Sequence, residues 1–156
     1  MTQTHEKWMA YCLKLAQKAQ VRNEVPVGAC IVDSQGQLVA SAYNLREHLQ
    51  SSLGHAEILA LHMAHKKMKN WRLEDCTIYV TLEPCMMCAG ALIQSRIQNL
   101  VFGAYDKKAG AVRSLHRLCD DHRMNHQIQI TEGILENQCS QILTSFFKEL
   151  RVSKKK

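Results

Sequence analysis

An α/β layer fold with a mixed sheet is predicted from three observations. Segments of helical period alternate with short β-branched runs along the chain, the order that builds layered α/β domains. Two of those runs, VGACIVD and LVASAY, flank a Gly36 turn and read as a hairpin, so an antiparallel pair enters a sheet whose later strands are joined through helices. The 156 residues, 46% hydrophobic with 2 prolines, suffice for one core without disulfide staples.

The first element is a helix over residues 6–19, where Trp8, Cys12, Leu15 and Ala19 recur at steps of three and four and form one buried stripe. Pro26 closes the next loop and the hairpin follows, with Gly28 permitting close backbone approach. A polar loop through Arg46, Glu47 and Ser51 leads to Gly54, after which AEILALHMAHKKM has helical spacing in Ile58, Leu59, Leu61, Met63 and Met68. CTIYVTL is a buried strand by its β-branched content. Pro84 then leads into a helix from Cys85 to about Gln94, whose Ala89, Gly90 and Ala91 allow close packing. IQNLVFGA and IQIT are the remaining strands; between them Lys107, Lys108, Arg113, Arg117 and Arg123 crowd a region expected to hold a loop and a short helix. ILENQCSQILTSFFKEL closes the fold as an amphipathic helix on Leu135, Cys139, Ile142 and Phe146, followed by a basic end, about residues 151–156, that suits either contact with phosphate or a solvated, frayed terminus.

Lys plus Arg number 20 against 14 Asp plus Glu, a surplus of 6 with His neutral. That surplus suits a polyanionic partner and also serves solubility. The amino-terminal MTQTHEKWMAYCLKLAQ is charged and amphipathic, unlike a signal peptide. No run approaches membrane-spanning length, so a cytoplasmic chain with no membrane partner is expected. In that reducing compartment the 7 cysteines do not suggest a disulfide framework. Cys12, Cys30, Cys76 and Cys139 read as core thiols, and Met63, Met68, Met86 and Met87 as packing residues.

Chemistry concentrates in TLEPCMMCAGA and GHAEILAL. Alone, C-x-x-C at a helix start serves a redox dithiol, a structural zinc knot or a catalytic metal site, since the helix N-terminus favours thiolates in each case. His55 and Glu57 open a second helix that can face the first. Two thiolates and one imidazole, from Cys85, Cys88 and His55, make three ligands and leave the fourth zinc position for water, the pattern of a catalytic site. Zinc lowers the pKa of such a water from about 15.7 to about 7, and Glu57 beside it is placed to shuttle protons. H-x-E followed by P-C-x-x-C is the signature of zinc nucleobase deaminases, here His55-Ala56-Glu57 and Pro84-Cys85-Met86-Met87-Cys88.

With EVPVGA, HAEILAL, YVTLEPCMMCAGA, SRI, VFGAYD, MNH and ITEGIL in order, the chain resembles the bacterial tRNA-specific adenosine deaminases almost end to end. The resemblance implies a cytidine deaminase-like, three-layer α/β/α domain over residues 1–156, with a mixed five-stranded sheet, one Zn2+ per subunit and a homodimer. It implies hydrolytic deamination of adenosine to inosine at the wobble position of a tRNA anticodon stem-loop, with attack at C6 by zinc hydroxide and a flipped-out base. It further implies substrate contacts from Asn44, Val27, Ala56, Asp106, Asn125 and His126. Tyr105 departs from the family pattern, standing where its best-known members carry arginine; an aromatic there can stack on a base. The rival readings are a deaminase of a free base or nucleotide such as cytidine, dCMP or guanine, and a noncatalytic RNA-binding module with structural zinc.

Overall fold

The computed structural model describes residues 1–156. In chain order the elements are α1 (Thr2–Val21), β1 (Gly28–Val32), β2 (Leu38–Tyr43), α2 (Arg46–Leu49), α3 (Ala56–Met68), β3 (Thr77–Leu82), α4 (Met86–Gln94), β4 (Asn99–Ala104), β5 (Gln129–Thr131) and α5 (Glu136–Lys154). The strands form one 5-stranded sheet in the order β2-β1-β3-β4-β5. β1 runs antiparallel to both neighbours, with Gly28 opposite Tyr43 and Ala29 opposite Val80. β3, β4 and β5 are mutually parallel, and α4 supplies the crossover that a parallel β3–β4 pair requires. The sheet is therefore mixed, as the hairpin predicts.

Alternate residues of the central strands are buried on opposite faces. Ile31, Ile78, Val80, Leu100 and Phe102 form one layer under α3 and α4. Cys30, Val32, Tyr79 and Val101 face the other way, against Met9 and Cys12 of α1 and Cys139 of α5. Helices thus cover both faces, giving the three-layer arrangement. No helix is long and apolar enough to cross a membrane.

Close approach explains where side chains differ from the helical pattern. The inner face of α3 is Ala56, Ala60, Leu61 and Ala64, small enough to bring the helix backbone near the sheet. Met63 and Met68, expected as packing residues, are consequently on its exposed side, and Met86 is exposed at the start of α4. On the other face, a Cβ at Gly28 would overlap the Cys12 carbonyl of α1, so α1 rests directly on β1. All seven cysteines are free, and Cys12, Cys30, Cys76, Cys119 and Cys139 are buried.

Three element boundaries differ from expectation. Turns, with no helix, fill the region between β4 and β5. The short helix lies instead at α2, inside the polar loop. The last helix runs on past Leu150 to Lys154, into the basic end.

Candidate metal centre and active site

Helices α3 and α4 both begin at the end of the sheet where β3 stops. His55 caps α3 in extended conformation (φ −74°, ψ 146°), and Cys85 caps α4 in the same way (φ −73°, ψ 176°). Cys88 lies in the first turn of α4, three residues on, so its side chain shares a face with that of Cys85. His55 Nδ1 stands 3.6 Å from Cys85 Sγ and 3.5 Å from Cys88 Sγ. The three donor atoms all lie within 4.8 Å of one another. A tetrahedral ion with metal–sulfur bonds of about 2.3 Å and metal–nitrogen bonds of about 2.0–2.1 Å has sulfur–nitrogen edges of roughly 3.6 Å. The donors therefore fit a tetrahedral metal ion, with one position left for a non-protein ligand.

The electrostatics suit that purpose. Among the protein groups alone, the hydrogen bond between the two thiols holds Cys85 down to about 3, against the effect of burial and with help from His55. The same bond, reinforced by burial and the charge of Glu57, pushes Cys88 up. A cation held here would bind both as thiolates, since metal ligation takes the deprotonated form. The hydrogen bond with Cys85 raises the His55 imidazole, burial opposing. Glu57, one residue inside α3 and only 4% exposed, contributes no donor to the metal cluster. Burial raises its carboxyl above the ordinary carboxylate range, opposed by hydrogen bonds to its own backbone and Cys88. A carboxyl so tuned beside a metal position is suited to taking and returning a proton.

A cavity of about 170 Å³ opens onto these residues, and Val27, Asn44, Ala56 and Asp106 also line it. Val27 leads into β1 and Asn44 follows β2, so the antiparallel pair builds one wall. Asn44 is buried, its Nδ2 donating to the Val25 carbonyl at 3.1 Å and its Oδ1 accepting from the Arg46 amide at 3.1 Å. These two bonds fix the amide's orientation and leave one N–H and one lone pair for a ligand. Asp106, in the loop after β4, uses Oδ1 to accept from the amides of Lys108 and Ala109, so a ligand contact falls to its other oxygen. Asn125 and His126 do not line the cavity; Asn125 is exposed, and His126 Nε2 is 2.7 Å from the Ile97 carbonyl oxygen.

Two buried glutamates that sequence reasoning passed over hold the cavity walls. Glu24, 1% exposed, accepts from the amides of Glu47 and His48 at the start of α2. Glu83, 2% exposed, accepts from the amides of Asp106, Val112, Arg113 and Ser114 and from the Ser114 hydroxyl. Burial pushes the Glu83 carboxyl up, but the hydrogen bonds from Ser114, Asp106 and Arg113 outweigh it and hold the group below its ordinary range. A Cβ at Gly110 would overlap the Glu83 carboxylate, so only glycine lets the loop close over it. The Ala111 amide adds a bond to the Pro84 carbonyl at 2.9 Å, and Gly110 bridges to Cys85. The available signal was a single acidic residue among apolar neighbours in NEVPV and TLEP, because a buried charge must find partners.

A mixed sheet that presents a three-donor metal centre and a buried proton carrier at two helix N-termini is the framework of the metal-dependent nucleobase deaminases. The profile of the MafB19-like deaminase family matches residues 3–151. The chain is 48% identical over 155 residues to the tRNA-specific adenosine deaminase of Bacillus subtilis (strain 168), covering 99% of this chain and 95% of that protein. Among solved structures, one from studies of A-to-I editing by tRNA:A34 deaminases at the wobble position of transfer RNA superposes with a TM-score of 0.84. It is 37% identical and covers 88% of this chain and 99% of its own. A guanine deaminase from Nitrosomonas europaea follows at a TM-score of 0.79 and 25% identity, covering 90% and 83%. The chain belongs to the MafB19-like deaminase family and, within it, to the tRNA-specific adenosine deaminases.

Proposed function

We propose that this chain, as a single domain over residues 1–156, deaminates adenosine hydrolytically to inosine at the wobble position of a tRNA anticodon stem-loop. The observation that carries the chemistry is the His55, Cys85 and Cys88 donor set at tetrahedral spacing beside buried Glu57. The substrate assignment is supported by the relatives that share nearly the whole chain and by the surplus of 6 positive charges, which suits a phosphate backbone. The cavity, about 170 Å³, is smaller than the roughly 300–1,000 Å³ typical of ligand pockets and suits one flat base turned out of its stack.

His55, Cys85 and Cys88 would hold Zn2+, one per subunit, which as a Lewis acid makes water nucleophilic near neutral pH. Glu57 takes a proton as water adds to C6 and passes it to the ring nitrogen, then carries the proton of the new C6 hydroxyl to the amino group, which leaves as ammonia while the C6 carbonyl forms. Asn44, oriented by Val25 and Arg46, meets the purine edge, while Val27 lines the base pocket and Ala56 supplies a backbone contact. Asp106 receives the ribose side through its free oxygen, whereas Asn125 and His126, the latter bonded to Ile97 ahead of β4, sit at the far end of the sheet from the metal centre and would meet RNA away from the target base. A homodimer is supported by exposed Leu53 and Met86 beside the site, apolar side chains suited to a second copy.

The test is Glu57→Ala assayed on transfer RNA, free adenosine, cytidine and guanine, with bound metal measured in the same samples. The expected result is inosine formation on RNA by the parent protein only, and equal metal content in both. Retained activity in the variant, or conversion of small molecules alone, would overturn the assignment.

A further inference from the structure

The loop after β4 is anchored twice, by means of different kinds. Glu83 holds its backbone from inside the fold. On the outside, Glu132, the residue directly after β5, gathers both ends of the loop onto one carboxylate. Its Oε2 pairs with Arg113 Nε, and its Oε1 accepts from the Tyr105 hydroxyl at 3.1 Å. Arg113 reaches on through Nη1 to Asp120 at 2.9 Å, and only 20% of its side chain is exposed. The Tyr105 ring stands edge-on to Phe102 of β4, centroids 5.3 Å apart, so the sheet sets the phenol's direction.

Tyr105 and Arg113 bracket the segment whose Asp106 and Ala109 line the cavity. Neither bracketing side chain, nor Glu132, lines the cavity itself. We propose that Tyr105, Glu132 and Arg113 are positioning residues, a latch that fixes Asp106 and Ala109 at the cavity mouth and sets affinity for the RNA without entering the chemical step. A loop already held in its bound shape loses little conformational freedom on binding, whereas a released one must be ordered by the ligand. The latch also gives Tyr105 a task, because its phenol donates to the carboxylate without adding a second positive charge beside Arg113. The RNA half of this inference rests on the function proposed above, and the loop half does not.

Both halves are tested with Arg113→Ala, Arg113→Lys, Tyr105→Phe and Glu132→Gln in the full chain. The first readout is amide hydrogen exchange over residues 105–110 in the protein alone. The second is KM and kcat on an anticodon stem-loop bearing a wobble adenosine. Faster exchange in this segment with unchanged exchange in α4 is expected for Arg113→Ala, and to a lesser degree for Tyr105→Phe, which removes one hydroxyl and preserves the ring packing. KM should rise about tenfold in Arg113→Ala, equivalent to about 1.4 kcal/mol, with kcat within about twofold; Arg113→Lys should recover part of the loss by pairing with one carboxylate. Unchanged exchange in Arg113→Ala and Tyr105→Phe would overturn the latch, as would a fall in kcat at constant KM. A parent protein inactive on RNA would reject the proposed substrate while the exchange result still decides the latch.

Discussion

Replacing Glu83 by glutamine should weaken the fold at the cavity wall far more than an almost isosteric change ordinarily does. Oε1 accepts from the amides of Val112, Arg113 and Ser114, and Oε2 from the Asp106 amide and the Ser114 hydroxyl. Glutamine keeps one acceptor oxygen. If that oxygen stays with the three amides, the new NH2 faces the Asp106 N–H donor to donor, while the Ser114 hydroxyl can turn to accept. One buried donor is then unpaired, at about 1–3 kcal/mol, and the remaining bonds lose their charge assistance. A total near 3 kcal/mol is a large share of the roughly 5–15 kcal/mol that holds a typical domain. For a chain of this size that corresponds to a fall in Tm of about 6–12 °C, measurable by circular dichroism or calorimetry. A Tm within about 2 °C of the parent would show that Glu83 is not the anchor inferred from its five hydrogen bonds.

Two further outcomes follow from the packing and charge of the same framework. Because hydrogen bonds hold the Glu83 carboxyl below its ordinary range, its contribution is fully present above its unfolded pKa of about 4.3 and is lost as pH falls through the lower folded value. Urea titrations between pH 7 and about pH 3 should therefore show a smaller loss of stability in Glu83→Gln than in the parent, and parallel losses would contradict the account. Gly28→Ala would place a methyl group against the Cys12 carbonyl, so α1 must shift off β1 at a cost of about 1–3 kcal/mol or more. Thermal denaturation reads that cost, and an unchanged Tm would show that α1 yields without strain.

The parts of the fold that could be read from sequence were those governed by local pattern. The β-branched run of β3, the Gly36 turn and the apolar stripe of α1 each carry their constraint within a few residues. The metal donors belong with them, because H-x-E and P-C-x-x-C place side chains at helix starts whatever the distant structure does. Glu24 and Glu83 were not legible in this way. Their partners are backbone amides 23 to 31 positions away, and an amide leaves no trace in side-chain pattern. Glu83 also explains why turns replace the expected short helix after Ala104, since it accepts N–H groups that a helix would have paired internally. The misplaced Met63 and Met68 have a related origin: helical period marks the apolar rows, but Ala56, Ala60 and Ala64 decide which row approaches the sheet. Asn44 and Asp106 line the cavity while also bracing their own loops, two tasks that spacing does not separate.

The central claim is that this framework edits one base of a transfer RNA. Total transfer RNA treated with the purified, zinc-loaded protein, then sequenced for adenosine-to-inosine conversion, tests it most directly. Conversion is expected at the wobble adenosine alone and is lost with Glu57→Ala. Unconverted transfer RNA, alongside deamination of free adenosine, cytidine or guanine, would contradict it.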